Sequence, residues 1–177
     1  MKGFVLGFIT AILLVAAAAY AYLTMGLADV RSDAPASQVE NYLTHTAVRA
    51  SVLHNAPELH SPVPATDVNL VTGGRMYLDQ CARCHGTPGR TNDLESSTSN
   101  APQFPKVGTQ YTESQVFWIS KHGIRGTGMV ASSSWGSDEE LWALAAYIKR
   151  MNHLPAHVRE ELARATQTNP ASAPQQN

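Results

Sequence analysis

Cys81-Ala82-Arg83-Cys84-His85 is the stretch on which the reading of this chain turns. Two cysteines at i and i+3 with a histidine directly after the second is the spacing of covalent c-type haem attachment. One helical turn separates the thiols, which sets both against the edge of a macrocycle where each can form a thioether to a vinyl group. The next residue, His85, then falls beneath the ring centre, where its imidazole can bind iron. Two other chemistries use paired cysteines. A structural zinc site would have to complete four ligands with distant histidines, because Cys81 and Cys84 are the only cysteines in the chain. A thioredoxin-like dithiol expects an alternating βαβ pattern, and none surrounds this pair. The histidine at 85 favours haem.

Just upstream, Leu70, Gly74, Tyr77, Leu78 and Cys81 recur three or four apart, which predicts a helix from Asp67 or Asn69 to the motif. Each glycine inside a helix costs about 1 kcal/mol relative to alanine. Gly73 and Gly74 therefore mark a place where another helix crosses closely. Downstream, Gly86 to Gly108 is rich in turn formers (Pro88, Gly89, Asn92-Asp93, a Ser/Thr run at 96–99, Pro102, Pro105) and reads as a long loop. Loops of that length in a compact domain usually have a role, and wrapping a cofactor is one. Phe104 in this loop is a candidate packing residue for the cofactor.

Thr112-Glu113-Ser114-Gln115 and Ser137-Asp138-Glu139-Glu140 fit capping boxes, each opening a helix. The first carries Val116 to Ile119 and should end at Gly123. The second has Leu141, Leu144-Ala145 and Ile148 on one stripe, acids in its first turn, Lys149-Arg150 in its last, and Pro155 as its stop. A short helix is expected over 156–166 and a disordered tail over 168–177.

The N-terminus is of another kind. Phe4 to Leu23 is 20 residues without a charge, about 30 Å as a helix, which matches a bilayer core. A cleaved signal peptide is the rival, since Ala17-Ala18-Ala19 and Ala19-Tyr20-Ala21 fit an A-x-A site. The length favours an uncleaved anchor. A polar link follows, and then Ser37-Gln38-Val39-Glu40, a further capping-box pattern. Val39, Tyr42-Leu43, Ala47, Ala50 and Leu53 at helical spacing predict an amphipathic helix over 38–54. The haem domain, a partner subunit and a membrane face are all candidates to cover that stripe. Pro57, Pro62 and Pro64 make 55–66 a semi-rigid connector. His45, His54 and His60 lie on solvated stretches and are read as surface residues. The expected organisation is an anchor or signal at 1–28, a linker with helix at 29–66, a haem domain at 67–154, and a helix with tail at 155–177.

The chain of 177 residues has a net charge of −1 and offers no basic field for nucleic acid. A near-neutral balance says little else about partners, because a local patch can still steer docking.

A haem held at Cys81, Cys84 and His85 has one axial position left. Met129 is the best candidate for it, lying 44 residues after His85 in a glycine-rich loop, Gly123 to Ala131, that can fold back over the far face. A thioether is soft and neutral and favours ferrous iron. Met76 and Met151 fall at helical positions and read as core. His122, at the end of the preceding helix, is the runner-up.

At this point the chain resembles the class I monohaem cytochrome c domains of bacteria, over about Asn69 to Met151. The resemblance is carried by Gly73-x-x-x-Tyr77, Cys81-Ala-Arg-Cys84-His85-Gly86, Gly123-Ile-Arg-Gly-Thr-Gly-Met129 and the helix Asp138-Glu-Glu-Leu-Trp-Ala-Leu-Ala-Ala-Tyr-Ile148. It implies an all-α fold in which the helix before Cys81 crosses the Ser137 helix, with Gly73 and Tyr77 at the contact. It also implies one covalent haem c, with His85 and Met129 as axial ligands, and a haem domain on the periplasmic face of a bacterial inner membrane, or free in the periplasm if the leader is cleaved. Two departures stand out. Val130 follows Met129 where the family commonly has proline. The proline-bearing stretch whose carbonyl takes the His85 ring N–H is either at Pro88 or at Pro102.

The expected function is electron transfer with redox partner proteins. One competing reading is a cytochrome subunit fixed in an oxidase or dehydrogenase complex, which the anchor and the helix at 38–54 favour. Another is a haem enzyme or gas sensor with an open axial position, which requires that Met129 not bind. Cofactor burial is expected to supply much of the core, so that the apo chain folds poorly.

Overall fold

The computed structural model describes residues 2–31, 34, 36–88 and 101–168. Residues 89–100 of the expected long loop and 169–177 of the expected disordered tail lie outside the described residues. The chain divides into two compact units, Met1–Pro35 and Ala36–Asn177. Among the described residues all regular structure is helical.

The first unit is helix α1, Lys2–Thr24, which buries none of its residues. Its side chains, among them Phe4, Leu6, Leu13 and Leu14, are apolar and exposed. It is long and apolar enough to cross a membrane, a test that a signal sequence near an N-terminus also passes.

The second unit holds α2 (Gln38–Asn55), α3 (Asp67–Gln80), α4 (Ala82–His85), α5 (Phe104–Val107), α6 (Glu113–His122), α7 (Asp138–Arg150) and α8 (Ala156–Thr168). The Thr112 and Ser137 boxes form in full, side chain to backbone in both directions. At Ser37 only half a box forms, the serine accepting from the Glu40 N–H.

The core is built on α7, which buries every residue from Leu141 to Ile148. Helix α3 crosses it at Gly73, where an added Cβ would lie 2.1 Å from the Ala143 carbonyl oxygen. The glycine pair thus answers to two neighbours: Gly74 faces Leu162 of α8 and the Tyr147 ring. Tyr77 and Tyr147 meet at this crossing with ring centroids 5.5 Å apart. On the other side, α6 stacks Phe117 on Trp142 at 4.2 Å, and Arg150 pairs with Glu113 across the two helices. Helix α8 closes the bundle through Val158 and Leu162, both buried.

The facing of helix α2, left open by the sequence, is set by a few residues off the apolar stripe. Asn41, Val48 and Val52 turn inward, with Val52 buried, and they fall within about 40° of one another on the helix. Val39, Tyr42, Leu43 and Leu53, the stripe that drew attention in the sequence, are exposed on nearly the opposite side. The helix packs against α6, and Val52 is its buried residue. The proline-rich stretch after it is fastened to the domain: the Ser114 hydroxyl donates to the Pro57 carbonyl and accepts from the Leu59 N–H, and Val63 is buried in the core.

Candidate functional site

The cysteine pair and the histidine sit on one turn. Cys81 caps the end of α3, its N–H donating to the Tyr77 carbonyl at 2.8 Å, and also caps the start of α4. The Cys84 and His85 N–H groups both donate to the Cys81 carbonyl, at 3.1 and 2.9 Å. Gly86 ends the turn with φ of +90°, a left-handed conformation that favours glycine. Both thiols are free, Cys81 half-buried and Cys84 exposed. Burial, and to a lesser extent the neighbouring Cys84, push the Cys81 thiol up to about 12, so it is protonated at neutral pH.

His85 Nδ1 lies 3.0 Å from the Pro102 carbonyl oxygen. A carbonyl can only accept, so Nδ1 carries the proton and the Nε2 lone pair is left available. Of the two prolines open to this role in the sequence, the contact is made by Pro102, while Pro88 sits exposed in the turn after α4. Burial pulls the His85 pKa down and the Pro102 bond partly opposes it, so the ring is held neutral. Phe104 stacks on the imidazole at 4.7 Å and 7°. The expected loop is therefore helical at its end: Phe104 opens α5 and lies flat on His85.

One contributor had no signal in the sequence, and another has a second role there. Gln103, buried, donates from Nε2 to the Cys84 carbonyl at 2.9 Å and to the Ala101 carbonyl at 3.2 Å. A lone glutamine between prolines has no periodicity or motif to announce it. Tyr77, read as a helix-crossing residue, also donates its hydroxyl to the Gly86 carbonyl at 2.6 Å.

Met129 lies on a separate segment, the loop after α6. Gly123, with φ of +65°, ends α6, and a Cβ there would come within 2.6 Å of the Met129 carbonyl oxygen. The Ile124 N–H donates to that carbonyl at 2.9 Å, the Met129 N–H donates to Thr127 Oγ at 3.1 Å, and Thr127 Oγ donates to the Ile124 carbonyl at 2.8 Å. These bonds close the loop on itself. Met129 is half-buried and Val130 exposed. Met151 is buried in the core and Met76 packs against it. His122 is exposed, its ring 5.1 Å from Trp118.

A histidine with Nδ1 committed and Nε2 available, directly after two free thiols one turn apart, is a donor set suited to a covalently held haem. The comparison with known families agrees. Residues 68–148 match the family model described as Cytochrome C oxidase, cbb3-type, subunit III. The match supports reading this part of the chain as a c-type cytochrome domain, a class whose work is haem-based electron transfer. No curated protein and no solved structure matches the chain.

Proposed function

We propose that the domain carries one haem c through thioethers at Cys81 and Cys84, with His85 Nε2 and Met129 Sδ as axial ligands, and acts as an electron-transfer module outside a bacterial inner membrane. When bound, the haem supplies a one-electron ferric/ferrous couple. The observation that carries the reading is the His85–Pro102 bond. It holds the Nδ1 proton in place, keeps Nε2 free and raises the basicity of the ring as a ligand. Phe104 and the Pro102 carbonyl together limit rotation of the imidazole, so the ligand needs little rearrangement between oxidation states. A thioether at Met129 favours the reduced state, and the closed loop 124–129 supports it from behind. Helix α1 tethers the domain to the membrane.

The test is the absorption spectrum of the dithionite-reduced protein with and without carbon monoxide, for wild type and Met129→Ala. The expected outcome is a wild type that ignores carbon monoxide and a variant that binds it. A wild type that binds carbon monoxide readily has an open sixth position, and a ligand-binding role would then replace electron transfer.

The match to an oxidase subunit family and the exposed apolar stripe on α2 favour residence in a terminal oxidase complex over free diffusion. Co-purification of oxidase subunits with the tagged full-length chain after mild detergent extraction distinguishes the two. Recovery of the cytochrome alone assigns it to the free carriers.

A further inference from the structure

Three consecutive residues, Pro102, Gln103 and Phe104, all address the turn that holds Cys84, His85 and Gly86. Pro102 receives the His85 Nδ1 proton at 3.0 Å, and Phe104 covers the imidazole face at 4.7 Å. Gln103, between them, is 8% exposed and uses its amide nitrogen twice, toward Cys84 at 2.9 Å and toward Ala101 at 3.2 Å. Both partners are carbonyls, which fixes the orientation of the amide, since only its NH2 end can donate. With both amide hydrogens engaged, the side chain forms a rung from the chain just before Pro102 to the chain just before His85. Its Oε1 end lies where a Cβ on Gly86 would come within 2.7 Å. A glycine at 86 is therefore required twice, for its φ of +90° and for this amide.

We infer that Gln103 is a positioning residue for the haem-ligating histidine: it sets the separation of the Pro102 carbonyl from His85 Nδ1 and through it the electron affinity of the site. The inference rests on the assignment of His85 as an axial ligand. The physical basis is simple. A buried amide is costly unless bonded, so its two bonds specify one arrangement of the 101–103 backbone. Without that rung the Nδ1–H···O=C bond must hold Pro102 alone. The bond then lengthens, the imidazole becomes a weaker donor, and the ferric state loses stabilisation.

The experiment uses the full-length haem-loaded protein and two near-isosteric variants that cannot donate, Gln103→Leu and Gln103→Met. Ser114→Ala serves as the control for general loosening, because Ser114 ties the 57–59 segment to α6, away from this turn. Covalent haem content, midpoint potential and the iron–imidazole stretch of the ferrous protein in a Met129→Ala background are measured. Expected are retained covalent haem in both Gln103 variants, a ferric/ferrous equilibrium shifted about threefold or more toward ferrous, a lowered iron–imidazole stretch, and no shift in Ser114→Ala. Unmoved potentials and stretch with haem in place overturn the role of Gln103 and leave the functional reading standing. Loss of haem in both variants also overturns it, making Gln103 a folding residue. A wild type without covalent haem removes both proposals together. A wild type that binds carbon monoxide removes the Met129 assignment and the electron-transfer reading with it, while the stretch in the Met129→Ala background still decides on Gln103.

Discussion

The hydroxyl of Tyr77, a side chain with no exposed surface, donates to the Gly86 carbonyl 2.6 Å away and nine residues on. It ties the last turn of α3 to the far end of the cysteine-histidine turn. Burial, more than the nearby Cys81 and Tyr147, pushes the Tyr77 pKa far above its ordinary value, so the donor survives through alkaline pH. Tyr77→Phe keeps the ring and removes the donor, leaving a buried carbonyl without it. A loss of about 1–3 kcal/mol is expected by denaturant unfolding. A change under about 0.5 kcal/mol would show that water replaces the hydroxyl.

The two adjacent glycines of α3 should respond differently. At Gly73 a methyl group meets backbone, 2.1 Å from the Ala143 oxygen, and α3 and α7 must separate. At Gly74 it meets the Leu162 methyl groups at 2.6 and 2.8 Å and the Tyr147 ring edge at 2.9 Å, which are side chains rather than backbone, the leucine able to change rotamer. Gly73→Ala is expected to cost about 3 kcal/mol or more and Gly74→Ala about 1 kcal/mol, after the gain of about 1 kcal/mol in helix propensity. Thermal unfolding of both variants checks the order, and equal losses would contradict a backbone-limited crossing.

The capping box of α7 gives the domain an acid-sensitive contribution. Glu140 accepts from the Ser137 N–H and the Ser137 hydroxyl, and these bonds hold its pKa below the ordinary value of 4.5. A folded pKa below the unfolded one means that the stabilisation is present above the unfolded value and fades as pH falls through the folded one. Glu140→Gln keeps an acceptor but not the charge. The gap between wild type and variant in denaturant midpoint should be widest at neutral pH and close on acidification. A gap independent of pH would assign the cap to hydrogen bonding alone.

Ser114 anchors the chain between α2 and α3. Removing its hydroxyl in Ser114→Ala releases the Pro57 and Leu59 backbone groups. A modest loss of about 1 kcal/mol is expected, with faster hydrogen exchange confined to residues near 57–60. Exchange that rises throughout α7 instead would mean that this segment supports the core itself.

What could be read from the sequence was what is local. The cysteine-histidine turn needs only residues 81–85, the two complete capping boxes span four residues each, and the crossing at Gly73 follows from the cost of glycine in a helix. The facing of α2 could not be read, because periodicity finds an apolar stripe without saying whether it turns in or out. Val52, the residue that seats the helix, lies off the stripe. The choice of Pro102 over Pro88 depends on how a loop closes across 17 residues, and Gln103 is recognisable only once that closure brings it beside Cys84. The glycines around Met129 do not announce how that loop closes. Its order comes from Thr127, whose hydroxyl bonds in both directions.

The span between His85 and Pro102 also separates two events in the life of the protein. If Cys81, Cys84 and His85 receive the haem as proposed, that set lies within five neighbouring residues and would be presented even by a nascent, unfolded chain. The Pro102 carbonyl that meets His85 arrives from 17 residues away, and bringing the two together carries a closure entropy that only the folded domain offsets. On the proposed reading, maturation comes first and calibration second. A newly loaded chain would hold its haem before it holds its potential, and the potential would emerge as the last contacts close.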